Sequence, residues 1–110
     1  ERLGTSLLAR NGRRLVEWRS ELQALVAEQG YRAPIATTEL AAIAEDPRAP
    51  RDQRLGAVLA LAVLPAEAPE RARVRLAIDT TADPKLRVAL ERAAEGELEE
   101  ADVRESEAIR

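Results

Sequence analysis

The chain has no cysteine, no histidine and no methionine, and its aromatic content is a single tryptophan, Trp18, and a single tyrosine, Tyr31. Without a thiol or an imidazole there is no thiolate nucleophile, no Cys/His zinc site and no Ser-His-Asp relay, because each moves protons or holds metal through those groups. Only carboxylate and hydroxyl chemistry remains for catalysis. The scarcity of aromatic faces excludes the stacking platforms of single-strand nucleic-acid binders. A net charge of −3 over 110 residues leaves no basic excess for a phosphate backbone. No segment approaches the ~20 consecutive apolar residues of a membrane span, and no signal-peptide pattern is present. A chain that lacks methionine and begins with Glu1 is expected to be a piece of a longer protein. At 110 residues it suits one domain with a modest core that needs neither metal nor disulfide.

What is abundant is alanine, leucine, arginine and glutamate. Alanine and leucine are strong helix formers and β-branched residues are few, so the fold class expected is all-α. Lys85 is the one lysine beside 16 arginines, a bias that points to GC-rich coding and a bacterial source.

"LLARNGRRLVEWRSELQALVAEQG" reads as a long amphipathic helix within residues 1–30. Leu8, Leu15 and Leu22 fall seven apart, with Asn11, Trp18 and Leu25 between them. Gly30 supplies a stop and Pro34 follows, while Asn11-Gly12 is a weak point, poor in a helix interior and able to end one helix and start another. Thr37 or Thr38 is placed to cap a short helix with Leu40, Ile43 and Ala44 on one face. After the turn "PRAP", "RDQRLGAVLALAVL" is apolar nearly all round and is expected to be the core helix. Pro69 opens a helix carrying Val74, Ala77 and Ile78. Asp83-Pro84 opens another, with Leu86, Leu90, Ala93 and Ala94 in its stripe and Gly96 as its stop. The acidic end, residues 97–110, reads as a solvated, partly disordered tail or a marginal helix through Leu98, Ala101, Val103 and Ile109.

The four middle helices make two hairpins with a weak internal repeat. An offset of 31 pairs Leu55 with Leu86, Ala57 with Val88, Leu59 with Leu90 and Ala62 with Ala93; an offset of 34 pairs Leu40 with Val74 and Ala44 with Ile78. Asp83-Pro84-Lys85-Leu86-Arg87-Val88-Ala89 resembles the opening of the second helix in HEAT and HEAT-like (PBS-lyase-type) repeats, and the resemblance covers residues 38–96. Gln53 and Gly56 stand where the first unit would carry the proline and the arginine. The resemblance implies an α-α superhelix fragment of two antiparallel helix hairpins, preceded here by the long N-terminal helix, that serves as a scaffold or adaptor with a groove for another protein. Helical repeats bury their apolar faces only with neighbours or caps, which the two flanking segments would supply.

Charge is uneven along the chain. Residues 1–37 carry six arginines and four glutamates, residues 38–94 nine charges of each sign, and residues 95–110 two arginines against seven acids. Arg71, Arg75, Lys85 and Arg92 are the candidate protein-binding residues, because guanidinium forks suit paired oxygens of an acidic peptide or phosphate; neutralisation by Glu67, Glu70, Asp79 and Asp83 is the competing reading. Arg10, Arg13 and Arg14 behind Leu3, Leu7 and Leu8 resemble the cytoplasmic edge of a membrane helix, or an ordinary amphipathic helix with exposed arginines. Residues 8–25 also permit a homodimeric seam, although Trp18 suits packing within the chain better. The acidic candidates for catalysis, Glu45 with Asp46 and Asp79 with Asp83, together with Thr80 and Thr81, stand at helix ends where capping alone explains them.

The expected function is therefore a non-enzymatic protein-protein interaction or scaffold module, without cofactor or metal, the soluble part of a longer bacterial protein. It would be cytoplasmic, with a possible tether to the inner membrane. The alternative is a cytoplasmic juxtamembrane or dimerisation domain of a membrane-anchored protein.

Overall fold

The computed structural model describes residues 8–27 and 36–107, and every regular element among them is a helix: α1 (Leu15–Ala27), α2 (Thr37–Glu45), α3 (Arg51–Leu61), α4 (Pro69–Asp79), α5 (Pro84–Glu95) and α6 (Glu100–Glu107). The fold is all-α, as the composition indicates. Helix α2 packs on α3 and α4 on α5, while α2 also lies against α4 and α3 against α5, so one hairpin is laid on the other. Helix α1 covers α3 from one side, and α6 covers α5. Every residue of α3 from Arg54 to Leu61 is buried, which makes it the central helix its sequence predicts. The repeat pairs Leu55 with Leu86 and Leu59 with Leu90 are all buried. Ala57 is fully covered, whereas its counterpart Val88 is 45% exposed.

The long N-terminal helix is broken. Asn11 and Gly12 take left-handed φ values of 53° and 75°, a conformation reached most easily by glycine and asparagine. Residues 9–14 form a turn, and α1 starts only at Leu15. Leu8, Leu15, Trp18 and Leu22 join the core of the same chain. The side chains of the expected dimer seam are thereby used internally, and Asn11 sits in the turn. Leu3, Leu7, the Gly30 stop and Pro34 lie outside the described residues, as does the side chain of Leu25.

One backbone group fixes this turn to the core. The Trp18 indole Nε1 donates to the Leu8 carbonyl at 3.0 Å, and α3 passes beneath it at Gly56. A Cβ on Gly56 would stand 2.3 Å from that same oxygen and 3.3 Å from Trp18 Cζ2. Glycine is required here for close approach, and its lack of a side chain explains the departure from the repeat pattern at this position. The turn is cross-braced by Arg10 Nε donating to Arg13 O at 2.8 Å and Arg13 Nε to Arg10 O at 3.1 Å. The Arg10 amide reaches Asp52 Oδ2 on α3 at 3.2 Å.

Helix ends are closed by several means. For α5, Asp83 Oδ1 accepts from the amides of Lys85 at 3.0 Å and Leu86 at 3.4 Å. At its other end Gly96 is left-handed, φ 77°, with Gly96 N bonded to Ala93 O and Glu97 N to Arg92 O, the paired bonds of a Schellman stop. Pro69 opens α4 as its first helical residue. For α2 the cap differs from expectation: Ala36 is the N-cap, and the Thr37 hydroxyl instead donates to Glu70 Oε2 of α4 at 2.8 Å.

Two arginines bind across the helix ends. Arg54 of α3, 6% exposed, donates through Nε to Ala44 O at the end of α2 (3.1 Å) and through Nη2 to Thr81 Oγ1 just beyond α4 (3.2 Å). Arg71 of α4 reaches Ala62 O at 3.1 Å and Leu64 O at 2.9 Å past α3, and Ala94 O in α5 at 3.4 Å.

The C-terminal segment is not a solvated tail. Leu98, Val103 and Ser106 are buried, and α6 lies along α5 with Lys85 paired to Glu105 at 3.1 Å and Arg92 near Asp102 at 3.7 Å. Its helix is acidic outside and apolar beneath, which the net charge of the segment conceals. Ile109 lies outside the described residues.

Candidate functional site

The four basic residues singled out from the sequence do not form one open groove. Arg71 is turned inward onto helix-end carbonyls. Lys85 and Arg92 lie on one face of α5 and pair with acids of α6. Arg75 is exposed on α4 and forms no ion pair among the described residues. The neutralising partners are Glu105 and Asp102 of α6, where the sequence reading had named nearer acids.

Of the carboxylates considered for catalysis, Asp79 is exposed and the other three are engaged in structure. Both Glu45 oxygens accept from the Arg73 fork, at 2.7 and 2.8 Å, and these hydrogen bonds hold the carboxyl below its ordinary pKa. Asp46 Oδ1 accepts from the Arg48 amide at 2.9 Å. Asp83 caps α5 and forms an ion pair with Arg51 at the start of α3. The Thr80 and Thr81 hydroxyls donate to the Ala77 carbonyl at 3.1 and 2.8 Å. Among the described residues no group of three acidic side chains is close enough together to hold a metal ion, and none of the helices is long and apolar enough to cross a membrane.

A concavity of about 600 Å³ lies between the turn, α1 and α6, lined by Arg10, Gly12, Arg14, Leu15, Val16, Arg19, Glu100 and Arg104. Its construction follows from the break at Asn11-Gly12. That turn brings Arg10 and Arg14 to the start of α1, and packing of Leu98 and Val103 under α6 brings Glu100 and Arg104 to the same place. Glu100 spans the junction: one carboxylate oxygen accepts from the Leu15 amide and the other from Arg10 Nη2 at 2.7 Å. The hydrogen bond from the Leu15 amide, with the charges of Arg10 and Arg104, holds the Glu100 carboxyl below its ordinary pKa. Arg19 donates through Nη2 to Leu98 O at 3.1 Å, while its Nε is buried with no hydrogen-bond partner. Arg14 and Arg104 are exposed and enter no ion pair among the described residues. Among the described residues, four arginines and one glutamate line this cleft, in a chain whose total charge is negative. Val16, 66% exposed, adds an apolar edge.

Arg10 and Arg14 belong to the "ARNGRR" stretch that stands out in sequence. Arg19 and Arg104 do not, since α1 and α6 meet across 85 residues and no short-range pattern joins them.

No protein-family model, no curated protein and no solved structure matches the chain.

Proposed function

We propose that the chain is a non-enzymatic protein-protein interaction module, the soluble part of a longer bacterial protein, and that it docks an acidic segment of its partner in the cleft between α1 and α6. The observation that carries this reading is the concentration of Arg10, Arg14, Arg19 and Arg104 around one concave surface, with Glu100 the one carboxylate of its lining among the described residues. Electrostatic complementarity of this kind steers encounter and selects partners, and arginine forks suit carboxylate oxygens. The stacking of two hairpins supports the HEAT-like scaffold reading, with α1 and α6 as its caps. A cytoplasmic placement, tethered or free, belongs to the same proposal.

The test is anisotropy of fluorescently labelled peptides of graded Asp/Glu content at about 50 mM salt, where charge contacts are weakly screened. Binding is expected to strengthen with acidic content, to fall at least ten-fold in Arg14→Ala/Arg104→Ala, and to be unchanged in Arg75→Ala. Equal binding by the double variant and the unaltered protein would remove the cleft from the function.

A further inference from the structure

We infer that the cleft between α1 and α6 is a phosphomonoester site, in which Arg14, Arg19 and Arg104 take a tetrahedral dianion beside the carboxylate of Glu100. The inference rests on the reading of this cleft as a docking surface and names the chemistry it selects.

The start of α1 is already served. Glu100 places one oxygen on the Leu15 amide and the other on Arg10, so a carboxylate stands where an anion would otherwise meet the helix dipole. What remains is three guanidiniums with a surplus of donors. Arg14 and Arg104 are exposed and without an ion pair among the described residues. Arg19 keeps one fork nitrogen on Leu98 O and leaves Nε desolvated and unbonded. An unpaired buried donor is costly, so the site gains when a shift of the Arg19 side chain brings a ligand oxygen to it.

Charge and shape select the anion. With Glu100 in place the cleft retains an excess of three positive charges, from four arginines and one glutamate. A second carboxylate brings one negative charge and a planar pair of oxygens. A phosphomonoester brings roughly −1.5 to −2 and three acceptor oxygens, which matches three guanidiniums in number and nearly in charge. The cleft volume, about 600 Å³, is within the range of small-ligand sites of roughly 300–1,000 Å³ and far exceeds a single carboxylate. Of the acids nearest in sequence, Glu21 is paired with Arg13, Glu105 with Lys85 and Asp102 with Arg92, and Glu17 is exposed on α1 without an ion pair among the described residues.

The source is either a phosphorylated side chain of the partner protein or a free phosphate ester, and one titration separates them. Amide and arginine Nε–H NMR spectra are followed on adding a phosphoserine peptide, the same peptide with glutamate or with serine at that position, and inorganic phosphate, all at constant ionic strength. The phosphoserine peptide is expected to bind at least ten-fold tighter than the glutamate peptide and to shift the Arg19 Nε–H signal. Arg14→Ala/Arg104→Ala abolishes this preference, and Arg19→Lys, which loses the fork while keeping the charge, reduces it several-fold. Inorganic phosphate binding as tightly as the phosphopeptide would support the site and assign it to free esters, against protein docking. Equal affinity for the glutamate and phosphoserine peptides overturns the inference and leaves the docking reading standing. Binding of none of the probes overturns both.

Discussion

Replacing Gly56 by alanine tests the most constrained contact in the fold, because local preference and tertiary packing push in opposite directions. In an isolated helix the change is favourable by about 1 kcal/mol, since alanine is the best helix former and glycine among the poorest. In this protein the new Cβ would lie 2.3 Å from Leu8 O, 3.2 Å from Leu8 C and 3.3 Å from Trp18 Cζ2. The first of these is a backbone atom, so no rotamer change relieves it, and overpacking of this kind costs ~1–3 kcal/mol. If the Leu8 carbonyl moves away, the buried indole donor loses its acceptor, a further ~1–3 kcal/mol. Subtracting the propensity gain leaves a net loss of about 3 kcal/mol, a large part of the ~5–15 kcal/mol available to a domain of this size. Thermal unfolding by circular dichroism should fall by roughly 10–20 °C. In a Trp18→Phe background the hydrogen bond is already absent, so the same substitution should cost ~1 kcal/mol less, the coupling expected of residues in contact. A Gly56→Ala protein more stable than the parent would mean that propensity wins and that the turn at residues 9–14 does not rest on α3.

Arg54→Met keeps most of the volume but withdraws the donors from Ala44 O and Thr81 Oγ1; a loss of about 2 kcal/mol in urea unfolding is expected, and an unchanged or raised midpoint would show that burying the cation costs more than its bonds return. Glu45, Glu70 and Glu100 are held below their ordinary pKa by hydrogen bonds from Arg73, Thr37 and the Leu15 amide respectively. Each lowered value confers stability that is complete above the unfolded glutamate pKa of about 4.3 and is lost as pH falls through the lowered folded value. Urea midpoints should accordingly hold between pH 7 and 5 and decline toward pH 3, with Glu100→Gln showing a shallower decline. A gap between the variant and the parent that is as wide at pH 3 as at pH 7 would contradict the assignment of Glu100.

Helix identity and order were legible from apolar spacing and from caps that act within a few residues. Asp83, Pro84 and Gly96 state the limits of α5 through contacts two to four residues away, and the all-round apolar character of residues 54–61 announces a central helix. What the residues alone could not state is set by long-range packing. The heptad of Leu8, Leu15 and Leu22 continues across Asn11-Gly12 because each leucine reaches the same core, Leu8 from before the turn and the others from α1. Periodicity records which side faces inward and is silent on whether the chain is continuous. The acidic end misled for a related reason: seven acids in residues 95–110 dominate its composition, yet Leu98 and Val103 suffice to seat α6. The arginine cleft depends on both of these features together, the break at Asn11-Gly12 and the seating of the C-terminal helix, and each was only one of two readings its own segment allowed.

Arg54 and Arg71 give the two-hairpin body a symmetry that the weak sequence repeat only suggests. Arg54 lies on the second helix of the first hairpin and binds at the ends of the two first helices, α2 and α4. Arg71 lies on the first helix of the second hairpin and binds at the ends of the two second helices, α3 and α5. Arg71 thus meets carbonyls at or just past the ends of two helices and Arg54 a carbonyl at the end of one, where a cation is favoured by ~0.3–1 kcal/mol per exposed end and by more in partly buried geometries; at α4 Arg54 binds the Thr81 hydroxyl instead. Arg54 has no carboxylate within ion-pair distance among the described residues, and burial lowers its pKa while the charge of Asp46 raises it in part. The Ala44 carbonyl and the Thr81 hydroxyl supply the compensation that this buried cation requires. Arginine serves here because its fork spans two ends at once, which a lysine point charge cannot do. Arginines of this kind are structural ties, and they differ in that from Arg14 and Arg104, which are exposed at the junction of α1 and α6 without an ion pair among the described residues.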